Sequence, residues 1–216
     1  MLKDLYIVSA GGFGRETVGV IERINEVKPT WNLKGFIDND ESILGKKVLG
    51  YPIIGNDNYL LELQREVWVV CAIGNAKLRK RVVENLSKNS YIRFATIIDP
   101  SVIIYKDVTI GEGTIVSAGS IFTVNIKVGK HVIINLDCTI THDDIIQDFV
   151  TLNPSVNVSG NVVVEECVEL GVGTQIIPGK RVGSGSIIGA GSVVIRDIPA
   201  NCTAVGIPAK PIKYFD

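Results

Sequence analysis

Only two histidines occur in the chain, His131 and His142. An imidazole takes up a proton near neutral pH, so each is a candidate general base. His142 stands in Thr139-Ile140-Thr141-His142-Asp143-Asp144, where two carboxylates could orient the ring and favour its protonated form. His131, between Lys130 and Val132, has no such neighbours and reads as an exposed side chain. The cysteines Cys71, Cys138, Cys167 and Cys202 lack the close spacing of a zinc site and read as small buried thiols. A second group of candidates is glycine-rich. Gly11-Gly12-Phe13-Gly14 lies between a strand-like run, Leu5 to Ala10, and a helical pattern from Arg15 to about Ile24. Such a turn brings backbone N–H groups up to a phosphate, or is simply a tight structural turn. Gly12 and Gly14 match the first two glycines of a dinucleotide fingerprint, but Thr17 replaces the third, which argues against NAD. Asp38 ends the next strand-like run, Leu33 to Ile37, and Gly74-Asn75 closes the run from Val67 to Ile73. All three ends would face one crevice, where a nucleotide diphosphate could lie.

These runs alternate with helical patterns, the last from Ala76 to Leu86 with Arg79, Lys80 and Arg81 on its polar side. The βαβ order predicts a small Rossmann-like α/β domain over 1–95, leading through Tyr91 to Ile98 into a different architecture over 96–216. From Ile98 onward every sixth residue is aliphatic or aromatic, without a slip of frame, as far as Val194. An even period puts all of these residues on one side of a strand. Small or turn-forming residues often follow them, among them Gly111, Asn135, Ser159 and Gly183, and tolerate corners. Short strands alternating with corners make a parallel β-helix. Three hexapeptides close one triangular coil, so the repeats predict roughly five coils with a continuous stacked core. Outer positions such as Lys127, Glu169 and Arg181 are expected to face solvent or a partner subunit.

Composition narrows the function classes. The 216 residues are 46% apolar and 21% charged, enough for a sizeable core without disulfides. A net charge of −1 gives no electrostatic reason to expect nucleic acid or an anionic membrane as partner. No apolar run is long enough to span a bilayer, and the start of the chain lacks a secretory pattern, so the expected location is the cytoplasm.

The hexapeptide frame, with the tail Val205-Gly206-Ile207-Pro208-Ala209-Lys210, resembles the hexapeptide-repeat acyltransferases. With Ser9-Ala10-Gly11-Gly12-Phe13-Gly14-Arg15-Glu16, Gly35-Phe36-Ile37-Asp38, Ala72-Ile73-Gly74-Asn75 and Thr141-His142-Asp143, the whole chain is similar to the bacterial sialic acid O-acetyltransferase and UDP-4-amino-sugar N-acetyltransferase group. The resemblance implies a left-handed β-helix, acetyl-CoA as co-substrate, no metal, and a homotrimer with sites between neighbouring helices. It implies His142 as general base with Asp143 as helper. It places a nucleotide-linked amino sugar, expected to be UDP-linked, at Gly11, Gly12, Phe13, Gly14, Asp38, Gly74 and Asn75. Acetyl-CoA would lie along the later coils, at Gly160 and Ala190 with room left by Gly171 and Gly173, and Lys210 near its phosphates. Some relatives carry a second histidine where this chain has Thr151, whose hydroxyl could bond the thioester carbonyl but cannot carry charge. Transfer to a sugar hydroxyl, a non-catalytic nucleotide-sugar-binding trimer, and a zinc carbonic anhydrase on the same scaffold are the competing readings. The last needs three histidines around the metal, and the chain has two.

Overall fold

The computed structural model describes residues 2–215. Its first part is a six-stranded sheet. The elements run β1 (Lys3–Val8), α1 (Gly12–Val27), β2 (Trp31–Ile37), β3 (Lys47–Val48), β4 (Tyr51–Gly55), α2 (Asp57–Leu61), β5 (Val67–Cys71), α3 (Ala76–Leu86) and β6 (Ile92–Phe94). The order across the sheet is β3-β4-β2-β1-β5-β6, all parallel except the β3–β4 pair. Strands run outward in both directions from β1, so the chain reverses its winding between β1 and β5, the place where α/β sheets open a crevice. Near-continuous apolar strands fit a sheet covered on both faces. Val18 and Ile21 of α1 pack on one side with Leu5 and Ile7, and Val83 and Leu86 of α3 on the other with Tyr6 and Val8. The β3–β4 hairpin and α2 are additions to the sequence reading. Gly45, Gly50 and Pro52 interrupt the pattern there, and the strands are too short to show a period.

From Ile97 the chain winds as a left-handed parallel β-helix. Two- and three-residue strands stack at a spacing of 18 residues, as in Ile115 on Ile133 and Ile121 on Thr139. Three faces result. Face 1 holds 97–98, 115–116, 133–134, 151–152, 169–170 and 187–188; face 2 begins at 103–104, and face 3 at 108–110. Face 1 ends in an antiparallel hairpin, Cys202–Val205 with Lys210–Tyr214. The six-residue anchors form the core, and from Val116 to Val194 each is buried. A buried aliphatic side chain of this size contributes roughly 1.5–3 kcal/mol, so the frame tolerates no slip. The lowest coil lacks a coil beneath it, and there Ile104 is 41% exposed.

The corners differ from the expectation. From Asp107 to Gly191 every sixth residue has positive φ, three places after the anchor rather than one. The glycines directly after anchors answer a different need. A Cβ on Gly171 would meet the backbone nitrogen of Ala190 at 2.5 Å, and one on Gly111 would meet the Gly129 carbonyl group at 2.5 Å. They permit close approach of successive coils, while Asn, Asp, Ser and Gly at the third place accept the left-handed turn.

Candidate functional site

The three strand ends expected to converge do so. Ser9, at φ +85°, turns the chain out of β1. A Cβ on Gly14 would overlap the Ser9 carbonyl oxygen, so glycine is required there for packing. The backbone N–H of Ala10 donates to Asp38 Oδ2 at 2.8 Å and that of Asp40 to Oδ1 at 3.0 Å. Asp38 therefore pins the glycine turn to the end of β2. Gly11 and Gly12 are exposed, Phe13 half-buried. The first turn of α1 carries neither a side-chain cap nor an acidic residue, which leaves its N–H groups free for an anion. A cleft of about 190 Å³ opens between Ser9, Asp38, Asn39, Asp57, Ile73 and Leu78. Asp57 Oδ1 is buried there without a hydrogen-bond partner among the described residues. Gly74 is exposed on the far lip, and Asn75 caps α3 by accepting from the Leu78 N–H at 2.8 Å.

His142 lies at the corner between faces 2 and 3. Its Nδ1 is 2.9 Å from Asp143 Oδ2, and Asn125 Nδ2 donates to the other carboxylate oxygen at 2.7 Å. These bonds hold the Asp143 carboxyl below its usual range. The imidazole is 60% exposed, and Nε2 has no protein partner among the described residues. The ring lies over Gly160, one coil further on, where a Cβ would overlap it. Gly160 thus makes room for the histidine itself. Asp144 does not touch the ring. It is buried, and accepts from the N–H groups of Thr141 and Val162, each at 2.9 Å.

The remaining positions are dispersed. Gly171, Gly173 and Ala190 lie at the corner between faces 1 and 2, one corner away from His142 and Gly160. Gly173, at φ +68°, borders open space and Ala190 is exposed, whereas Gly171 is packed against the next coil. Lys210 is exposed at the start of the last strand. Among the described residues no three His, Cys, Asp or Glu side chains cluster as a metal site requires, and no helix is long and apolar enough to cross a membrane.

Four expectations are corrected by what joins the sheet to the coils. Thr151 does not face a groove. It is buried on face 1, its hydroxyl donating to the Gly74 carbonyl at 2.8 Å and accepting from Arg79 Nη2 at 3.0 Å. Arg79 is not on a polar helix face but fully buried. Its guanidinium donates to the carbonyls of Ile73, Gly74, His131, Phe149 and Val150 as well. Burial lowers its pKa to about 10, which leaves it charged at neutral pH. His131 is not exposed either. Its ring sits edge-on to Phe94, 4.7 Å between centroids, and stacks on Phe149 at 5.2 Å. Burial pushes its pKa down to about 4, and Nδ1 has no partner among the described residues. Glu169, expected to face solvent or a partner, accepts from Ala76 N–H at 2.9 Å and Asn75 Nδ2 at 3.0 Å, closing the start of α3.

Residues 4–86 match the PglD N-terminal domain family. Over 217 aligned residues the chain is 30% identical to the GDP-perosamine N-acetyltransferase of Escherichia coli O157:H7, covering 97% of each. Among solved structures it is similar to the acetyltransferase domain of PglB from Neisseria gonorrhoeae in complex with acetyl coenzyme A, with a TM-score of 0.88 and 28% identity over 98% of this chain and 100% of that one. It is also similar to the perosamine N-acetyltransferase of Caulobacter crescentus, solved with one histidine replaced by asparagine and in complex with CoA and GDP-perosamine. There the TM-score is 0.87 and the identity 31%, over 98% of this chain and 97% of that one.

Proposed function

Because the chain belongs to the hexapeptide-repeat sugar acetyltransferases, we propose that it transfers acetyl from acetyl-CoA to the amine of a nucleotide-linked sugar used in surface glycan synthesis, with His142 as general base. The observation that carries this reading is the His142–Asp143 pair on a full-length match to N-acetyltransferases of a nucleotide amino sugar. Asp143, bonded to Nδ1, favours the tautomer with its proton there and turns Nε2 outward as a free acceptor. The amine attacks the thioester carbonyl; the C–N bond forms as the C–S bond breaks. The amine's proton passes to Nε2 and from there to the departing CoA thiolate.

The nucleotide sits in the crevice at Gly11, Gly12, Phe13, Gly14, Asp38, Gly74 and Asn75, with its diphosphate at the uncapped start of α1. Guanine is the first base to test, in place of uracil. Full-length relatives are named for GDP-perosamine, and the Asp57 carboxylate on the cleft wall suits guanine, which offers two adjacent donors at N1 and the 2-amino group where uracil offers one. Calorimetry with GDP, inosine diphosphate and UDP checks this: GDP binds tightest. UDP binding at equal strength removes guanine from the proposal.

The acting unit is a homotrimer. The crevice borders face 1, through Gly74 on Thr151 and Asn75 on Glu169, whereas His142 projects from the opposite edge of the triangle. A sugar held in the crevice therefore meets the histidine of a neighbouring copy, and the acetyl-CoA positions at two different corners meet across the same junction. Exposed Val124, Ile145, Ile177 and Ile195 around the His142 edge are available for burial in that junction. The deciding experiment combines the chain with acetyl-CoA and a panel of GDP-, UDP-, dTDP- and CMP-linked amino sugars, with CoA release and product mass as readouts. Acetylation of a nucleotide amino sugar is expected. Absence of transfer to every member, by a folded protein that binds none of them, overturns the reading.

A further inference from the structure

The corner-filling column of the β-helix, four places after each anchor, is occupied by apolar or hydroxyl side chains nearly everywhere. Thr114, Ser120 and Ser186 show how a hydroxyl serves there. Each accepts from the N–H of the coil above, and each donates to a carbonyl of that coil, as Ser120 does with Cys138 N at 3.3 Å and the Asn135 carbonyl at 3.0 Å. Asp144 is the one carboxyl in this column. It is fully buried between Ile126 and Val162, both fully buried as well. A carboxyl in such a place, with no cation in contact, is costly where a serine would serve the scaffold.

Its two bonds show what it does that a serine cannot. Oδ2 accepts from the N–H of Thr141, the residue directly before His142, and Oδ1 from the N–H of Val162, two residues beyond the Gly160 on which the imidazole lies. One rigid group thus ties the backbone that carries the ring to the backbone that floors it. We propose that Asp144 is a positioning residue for His142, setting the height and orientation of the imidazole between Asp143 and Gly160; this rests on the assignment of His142 as the base. The charged and titratable groups that act on Asp144 are His142 and Asp143, both on its own corner, while the side chains stacked on it are apolar. Burial raises its pKa to about 7, so its charge changes in the range where an acyltransfer base works.

The test is Asp144→Ser, which the column accepts elsewhere, beside Thr114→Val, which removes an equivalent bridge at the His131 corner, away from His142. Asp144→Ser is expected to remain folded and to lower kcat by about 10- to 100-fold, the range for a displaced catalytic group, with little change in KM. Its pH–rate profile should lose the inflection that Asp144 contributes and keep the limb set by the base. Thr114→Val is expected to reduce thermal stability with kcat and profile intact. Wild-type kcat and profile in folded Asp144→Ser overturn the proposal. Nuclear magnetic resonance of the His142 imidazole in the unaltered protein provides a second readout, independent of turnover and of whether the variant folds. Its signals should respond when the Asp144 carboxyl, followed separately by its own carbon resonance, changes protonation. A ring indifferent to that change overturns the proposal even where no acceptor sugar has been found, which separates it from failure of the assigned function.

Discussion

His131 and His142 stand eleven residues apart on the same ladder of coils, and the scaffold has made opposite things of them. Both rings lie over a glycine of a neighbouring coil, His131 over Gly113 toward the start of the helix and His142 over Gly160 toward its end. What differs is the company. His131 sits at the corner that receives the N-terminal sheet, enclosed by Phe94 and Phe149, and is held neutral. His142 sits at the corner farthest from that sheet, open on one side, with a carboxylate on Nδ1. Burial against aromatics makes an imidazole part of a core; exposure beside one carboxylate leaves it ready to take a proton.

The strongest way to sharpen this contrast is to remove each ring. His142→Ala is expected to lower kcat by about 10²–10⁴-fold, with acetyl-CoA affinity measured by calorimetry nearly unchanged. Near-wild-type turnover by this variant would place the base elsewhere. The supporting glycines should separate in the same way. Gly160→Ala, which drives a methyl group into the His142 ring, should cost about 10–100-fold in kcat with little loss of stability, because the exposed ring can swing aside. Gly113→Ala has no such outlet. The ring it strikes is buried and its own φ is +72°, so a loss of about 1–3 kcal/mol in denaturant unfolding is expected, with kcat retained. Asp143→Asn should be milder than loss of the histidine, on the order of tenfold in kcat. The smallest effect concerns acid stability. An imidazole held near pKa 4 in the fold, against about 6.5 when unfolded, leaves the unfolded chain holding more protons between those values. Stability from this source is complete above about pH 6.5 and is lost as pH falls toward about 4. His131→Phe should abolish that component of the acid-induced drop in Tm while activity at neutral pH is kept; Phe149 already occupies the equivalent corner one coil on, at φ +59°.

How much of this was legible depended on whether a residue's partner was near in sequence. The six-residue frame from Ile98 to Val194 announced the coils because each anchor repeats the same local demand. Asp143 lay beside His142 in the chain, so the pair could be read directly. Arg79 could not be placed, because its acceptors at His131, Phe149 and Val150 come from coils more than fifty residues away. The same distance hid the burial of Thr151 and the capping role of Glu169. One signal was available for His131. At the docking corner the left-handed column carries His131, Phe149 and Cys167, whereas the other two corners hold Asp, Asn, Ser or Gly. Side chains that large, at a φ they disfavour, mark a corner where burial against another layer offsets the strain.

Arg79 has a consequence for how the molecule comes apart. Its six hydrogen bonds end on both sides of the junction, two on the lip of the crevice and four on the coils. Parting the two layers would strand a buried cation and expose several carbonyls at once, so no low-cost opening exists along that seam. The sheet and the first coils therefore melt as one calorimetric unit, and the crevice cannot hinge against the β-helix during a catalytic cycle. Any movement that brings sugar and thioester together must therefore arise elsewhere than at the seam within the chain.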